Sequence, residues 1–168
     1  MKAILTQHDR LCLEQMKQFG LFAEIIPQKL AISNGVVAAF CSDGDQFYDL
    51  YSHTARVCEE AVGTIRIHPI TLNGGGILMS GQLREEQCQH GQTMQENILA
   101  AVVMKGIKDV FLYTHFPCGI AISHCLGVID QALLLRMAKN RLKEANPELR
   151  IKCFFHVEKY DEQEGGSH

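Results

Sequence analysis

Two runs, "VVAAFC" at 36–41 and "KDVFLYT" at 108–114, are apolar at consecutive positions and not at every second one, so a strand built from either must be covered on both faces. Doubly covered strands belong to parallel sheets flanked by helices, and the segments around these two runs read as helices. The pattern predicts an α/β fold: a mostly parallel central sheet of four to five strands with helices on both faces.

The remaining elements follow from periodicity and punctuation. "DRLCLEQMKQF" (9–19) places Leu11, Met16 and Phe19 at helical spacing after an Asp9 cap, with Gly20 as a stop. "QFYDLYSHTARVCEEAVG" gathers Phe47, Leu50, Tyr51, Val57 and Cys58 towards one helical face and closes at Gly63. "TIRIH" (64–68) reads as a strand, and the stretch from Pro69 to Gly91 as a long, partly ordered loop, in which "NGGG" is a flexible turn and "REEQCQH" a solvated charged run. Thr93 followed by Glu96 has the spacing of a capping box and opens a helix that ends at Lys105 and Gly106. After the second buried strand come a turn, "THFPCG", a short helix "GIAISHC", a long helix from Ile129 to Ala145, and a last strand "RIKCFFHV".

With 168 residues, one domain spanning 1–164 is expected, and "GGSH" at 165–168 reads as a flexible tail or expression scar. A net charge of -3 with the basic residues dispersed gives no phosphate-neutralising stripe, which argues against a nucleic-acid partner. Apolar stretches such as "GVVAAFC" and "ILAAVVM" fall far short of the roughly 20 residues that span a bilayer, so no membrane partner is expected and a cytoplasmic location is.

Seven cysteines sit mostly inside apolar patterns, which in a reducing compartment makes them packing groups, metal ligands or nucleophiles. Cys12, Cys58 and Cys153 read as packing groups, Cys88 as a thiol in a polar loop, and the neighbours His124 and Cys125 as packed or capping residues. Cys41, His115 and Cys118 are different. Each ends a predicted strand or follows one closely, and in parallel sheets ligands collect beyond the carboxyl ends of the strands. If the two strands are neighbours, two thiolates and an imidazole meet there, three-quarters of a tetrahedral zinc site, with the fourth position open to water or to Asp43.

"CSD" at the end of the first buried strand and an HxxCG motif about seventy residues later, within this order of helices and strands, resemble the β-class carbonic anhydrases. The resemblance runs through most of the chain, up to the "VEKYDEQEG" segment, which is similar to the family's last strand and turn. It implies that Cys41, His115 and Cys118 bind Zn2+, and that Asp43 either orders the catalytic water or closes the metal site. It further implies reversible hydration of carbon dioxide to bicarbonate by zinc-bound hydroxide, in a homodimer or higher homo-oligomer.

The chain departs from the family where CxDxR has an arginine: Asp45 stands there, so no neighbouring cation neutralises Asp43. Arg66, at the end of the second predicted strand, is the nearest substitute by topology, while the family's Arg-Asn-Ala-Gly-Asn segment is not intact. Asp45 motivates an alternative, a catalytically inactive or altered-substrate relative in which Cys41, Asp43, His115 and Cys118 close a structural or sensory site. A metal-free thiol or nucleotide-binding module is a further reading. For an enzyme acting on a nonpolar substrate, Val37, Phe40, Phe47 and Phe116 are the candidates for a dry wall.

Overall fold

The structure is a computed structural model and describes residues 5–23 and 25–157; the expectations placed on 158–168 lie outside the described residues. Four strands, β1 (Val36–Phe40), β2 (Ile67–Thr71), β3 (Asp109–Phe116) and β4 (Arg150–Val157), form an all-parallel sheet in the order β2-β1-β3-β4. Among the described residues, five helices connect and cover them: α1 (Gln7–Gln18), α2 (Gly44–Val62), α3 (Glu85–Lys105), α4 (Gly119–Ser123) and α5 (Val128–Ala145).

All five residues of β1 are fully buried, as an uninterrupted apolar run requires. Val36, Ala38 and Phe40 join Phe111, Tyr113 and Phe154 against Leu50, Val57 and Cys58 of α2. Val37 and Ala39 face the other way and join Val110 and Leu112 beneath α3 and α5. The strand period of two thus sorts one continuous run into two cores.

The amino end of the sheet is held by polar contacts. Arg150 donates from Nε and Nη2 to the two oxygens of Asp109 at 2.7 and 2.6 Å, a two-pronged pair across the β3–β4 register. Asp109, 3% exposed, also accepts from the Ser33 N–H at 3.1 Å.

Three boundaries differ from the sequence expectation. Thr6, not Asp9, caps α1; Asp9 instead completes a capping box, accepting from the Thr6 N–H at 3.0 Å while its own N–H donates to Thr6 Oγ1 at 3.1 Å. The second strand begins at Ile67 and runs through Pro69, which a sheet tolerates because β2 is an edge strand and its unpaired side needs no donor. The segment 69–91 is not a loop: it holds the end of β2, a 3-10 segment at Gly75–Ser80 that is buried throughout, and the first turns of α3.

Thr93 is accordingly inside α3, where its hydroxyl donates to the Gln89 carbonyl at 3.1 Å and Glu96 Oε1 accepts from Gln92 at 2.8 Å. The helix starts eight residues earlier, with Glu85 and Glu86 placed in its first turn where the dipole favours acidic groups. Gly91 explains how a helix can lie so close to the 3-10 segment: a Cβ there would sit 2.2 Å from the Leu78 carbonyl oxygen. Backbone cannot yield as a side-chain tip does, so Gly91→Ala is expected to destabilise the fold by about 2–3 kcal/mol, read as a lower urea midpoint at constant slope. An unchanged midpoint would show that the two elements are not in contact.

Candidate metal centre

The strand order turns at β1: the chain leaves β1 for β2 on one side, then crosses back over it to β3 on the other. At such a reversal the connections from adjacent strand ends diverge and leave a crevice beyond their carboxyl ends. Cys41 follows β1 directly, His115 is the last residue but one of β3, and Cys118 stands at the start of α4 after a turn containing the cis Phe116–Pro117 peptide. The three are 4%, 0% and 1% exposed, and one donor atom from each lies within 4.8 Å of the others. Donors on a tetrahedral zinc, with bonds of about 2.0–2.3 Å, stand roughly 3.5–3.8 Å apart, so a small contraction would bring all three onto one ion.

The environment argues for an ion more strongly than the spacing does. Neither ring nitrogen of His115 has a hydrogen-bond partner, although both are buried. An imidazole held that way forfeits about 1–3 kcal/mol for an unsatisfied polar group, a cost that coordination of one nitrogen removes in part. The Cys41 sulfur accepts the Gly74 N–H at 3.2 Å. Its thiol is held well below the usual range, chiefly by hydrogen bonding from Cys118, against the effect of burial and with help from the His115 imidazole and the Gly74 N–H. Cys118 moves the opposite way, pushed up by sharing a proton with Cys41 and by burial. The two sulfurs thus compete for a proton, and chelation by both requires both to be ionised.

The backbone around Cys41 depends on the glycine run read from sequence as a flexible turn. Gly75 adopts φ +56, and a Cβ on it would lie 2.7 Å from the Cys41 nitrogen and 3.0 Å from the Tyr113 carbonyl. Asn73 completes the link, accepting the Ser42 hydroxyl at 2.6 Å. A triple glycine directly after a strand was the available signal, since close backbone approach is one of the few reasons to place one there.

Asp43 is half-buried at the amino end of α2 and acts as its cap, its Oδ1 accepting the Asp45 N–H at 3.1 Å. It is not one of the groups whose donors share the 4.8 Å cluster. Arg66 cannot stand in for the missing arginine: its guanidinium donates to the Asn34 and Lys105 carbonyls at 3.1 and 3.0 Å, beside the amino ends of β1 and β2, the opposite edge of the sheet. The expected apolar wall is also not one surface. Val37 lies in the core under α3 and α5, Phe40 packs edge-on to Phe47 on the α2 face, and Phe116 forms a small cluster with Cys12 and Val128. The two cysteines instead belong to the larger buried cluster under α3 and α5, which also holds Ile77 and Ala121 and has Ile120 and Leu126 packed against it.

Among the other candidates, Cys12 and Cys58 are buried packing groups, His124 terminates α4, and Cys153 is exposed on β4. Cys88 is half-buried and its thiol donates to the Leu83 carbonyl at 3.3 Å.

The cluster is expected to take up about one divalent ion per chain, releasing a proton as Cys118 ionises, so that uptake weakens as pH falls. Cys118→Ser is expected to reduce bound metal to a small fraction of that, measured by elemental analysis; full retention would exclude the cluster as the site. No family model, no curated protein and no solved structure matches this chain.

Proposed function

We propose that the ion is zinc and that the chain is a β-carbonic anhydrase-like protein catalysing the reversible conversion of carbon dioxide and water to bicarbonate and a proton. The observation that carries this reading is the three-donor set itself. Two cysteines and one histidine converge in the switch-point crevice while Asp43, two residues past Cys41, caps a helix. Three protein ligands are the pattern of catalytic zinc, and four that of structural zinc.

Cys41, His115 and Cys118 would hold the ion, which when bound supplies Lewis acidity that brings a water's ionisation into the neutral range. Two thiolates offset its charge without excess, so the centre is formally neutral as long as Asp43 keeps to its cap. The Gly74 N–H steadies the Cys41 sulfur and holds down its basicity. Burial of both cysteines in the apolar cluster keeps bulk water from the sulfurs, and the same dryness suits a nonpolar substrate. Asp43, two residues past Cys41, would accept a hydrogen bond from the attacking water with the carboxylate oxygen its cap leaves free, and so orient it.

The alternative is a noncatalytic relative whose structural or sensory site is closed by two cysteines, a histidine and an aspartate, favoured by Asp45 where the family has arginine. Homo-oligomerisation and a cytoplasmic location belong to the first reading. The seven cysteines, free with no disulfide among the described residues, fit a reducing compartment. No helix among the described residues is long and apolar enough to cross a membrane.

Stopped-flow hydration of carbon dioxide by zinc-loaded protein decides between them. The enzyme reading expects a rate well above background, lowered about 100-fold by Asp43→Asn with zinc content unchanged. Stoichiometric zinc with a background rate would remove the catalytic reading and leave the closed site.

A further inference from the structure

β4 is the other edge of the sheet, and along it runs a groove of about 990 Å³ lined by none of the three cluster residues. We propose that this groove binds a long-chain carboxylate, an acyl chain lying in the trough with its acid head at the rim. The proposal is independent of the metal centre.

The trough has an apolar floor. Leu50, Tyr113 and Phe154 line it at 0%, 1% and 8% exposure, and the Tyr113 and Phe154 rings stack with centroids 4.8 Å apart. The polar tips in the floor are already matched to each other: the Tyr113 hydroxyl lies 2.8 Å from Thr54 Oγ1 and 2.9 Å from His53 Nδ1. A ligand there meets ring faces and aliphatic carbon, which selects an apolar body over a hydrogen-bonding one. The outer wall is apolar as well, and openly so. Leu21, Ile25 and Ile26 line the groove while 62%, 37% and 45% exposed, with the Phe22 ring tilted against Phe155 at a centroid distance of 5.9 Å. Large aliphatic groups gathered around one concavity are the mark of a binding surface.

Charge chooses the head group. Among the described residues, five cationic side chains line the groove, Arg10, Lys17, Lys29, Lys139 and Lys152, against one acid, Glu14, in a chain whose net charge is -3. None of the four lysines forms an ion pair among the described residues. They come from α1, the turn at Pro27–Lys29, α5 and β4, so four elements bring positive charge to the groove. An apolar trough with a cationic rim fits an amphipathic anion. A second copy of the chain is a poor occupant, because a self-complementary contact would set these cations against themselves. A membrane surface is poorer still, since the deepest apolar residues lie at the bottom of a concavity that a bilayer cannot enter.

The test is calorimetric titration of the full chain with dodecanoate below its micelle concentration, with dodecanol as the uncharged match. The expected result is saturable binding at one per chain, weakened about tenfold or more by replacing the acid with the alcohol and to a similar extent by Lys29→Glu combined with Lys152→Glu. Ile26→Asp, an exposed change that leaves the core intact, is expected to weaken both ligands. Binding is expected to survive Cys118→Ser. Absence of saturation overturns the proposal, as does indifference to the head group and to the lysines, or loss of binding on Cys118→Ser. So does sedimentation with anionic vesicles without any binding of monomeric dodecanoate, or a concentration-dependent dimer that dodecanoate leaves intact.

Discussion

Because β1 pairs with β2 on one side and β3 on the other, the chains leaving the carboxyl ends of β1 and β3 part company, and something must fill the gap between them. Here the filling is backbone. Gly75 and Gly76 come so near the Tyr113 carbonyl that a Cβ on either would lie 3.0 Å from it. Side chains are excluded from the crevice floor, which leaves room above it for sulfur and imidazole. The candidate centre is thus a by-product of topology and of a glycine run that only tertiary contact explains.

The two ends of the sheet divide labour. At the amino end, Asp109, Arg150, Ser33 and Arg66 satisfy one another and nearby carbonyls, so charge there is spent on holding segments together. At the carboxyl end a buried histidine is left without partners and two cysteines compete for a proton. Unmet polar demand in a native interior is a reason to look for a missing ligand, and the contrast between the ends locates it.

Much of this was legible in the residues. Continuous apolar runs announced doubly covered strands, and Cys41, His115 and Cys118 could be placed because a strand end is where such runs stop. The segment from Pro69 to Gly91 was not legible, because its structure comes from distant partners: the edge position excuses Pro69, and Leu78 makes Gly91 necessary. The first turns of α3 are polar, and its buried face begins only near Gly91 and Met94, so apolar periodicity starts late. Starting the second strand at Thr64 instead of Ile67 was enough to misplace Arg66, since three residues along a strand decide which edge of the sheet a side chain reaches. Asp43 was recognised as important, but local sequence does not say whether a carboxylate two residues past a strand will turn to a neighbouring ion or to its own helix.

The seat of α3 on the Leu78 carbonyl has a mechanical corollary. Gly91 lets the helix rest on the same short segment whose leading glycines approach Cys41 and Tyr113, so at that one point backbone meets backbone with no side chain between. Elsewhere α3 is cushioned by apolar side chains, but a displacement at Gly91 bears directly on the segment that carries the Gly74 N–H to the Cys41 sulfur. A helix that contributes no donor thus leans on the support of one.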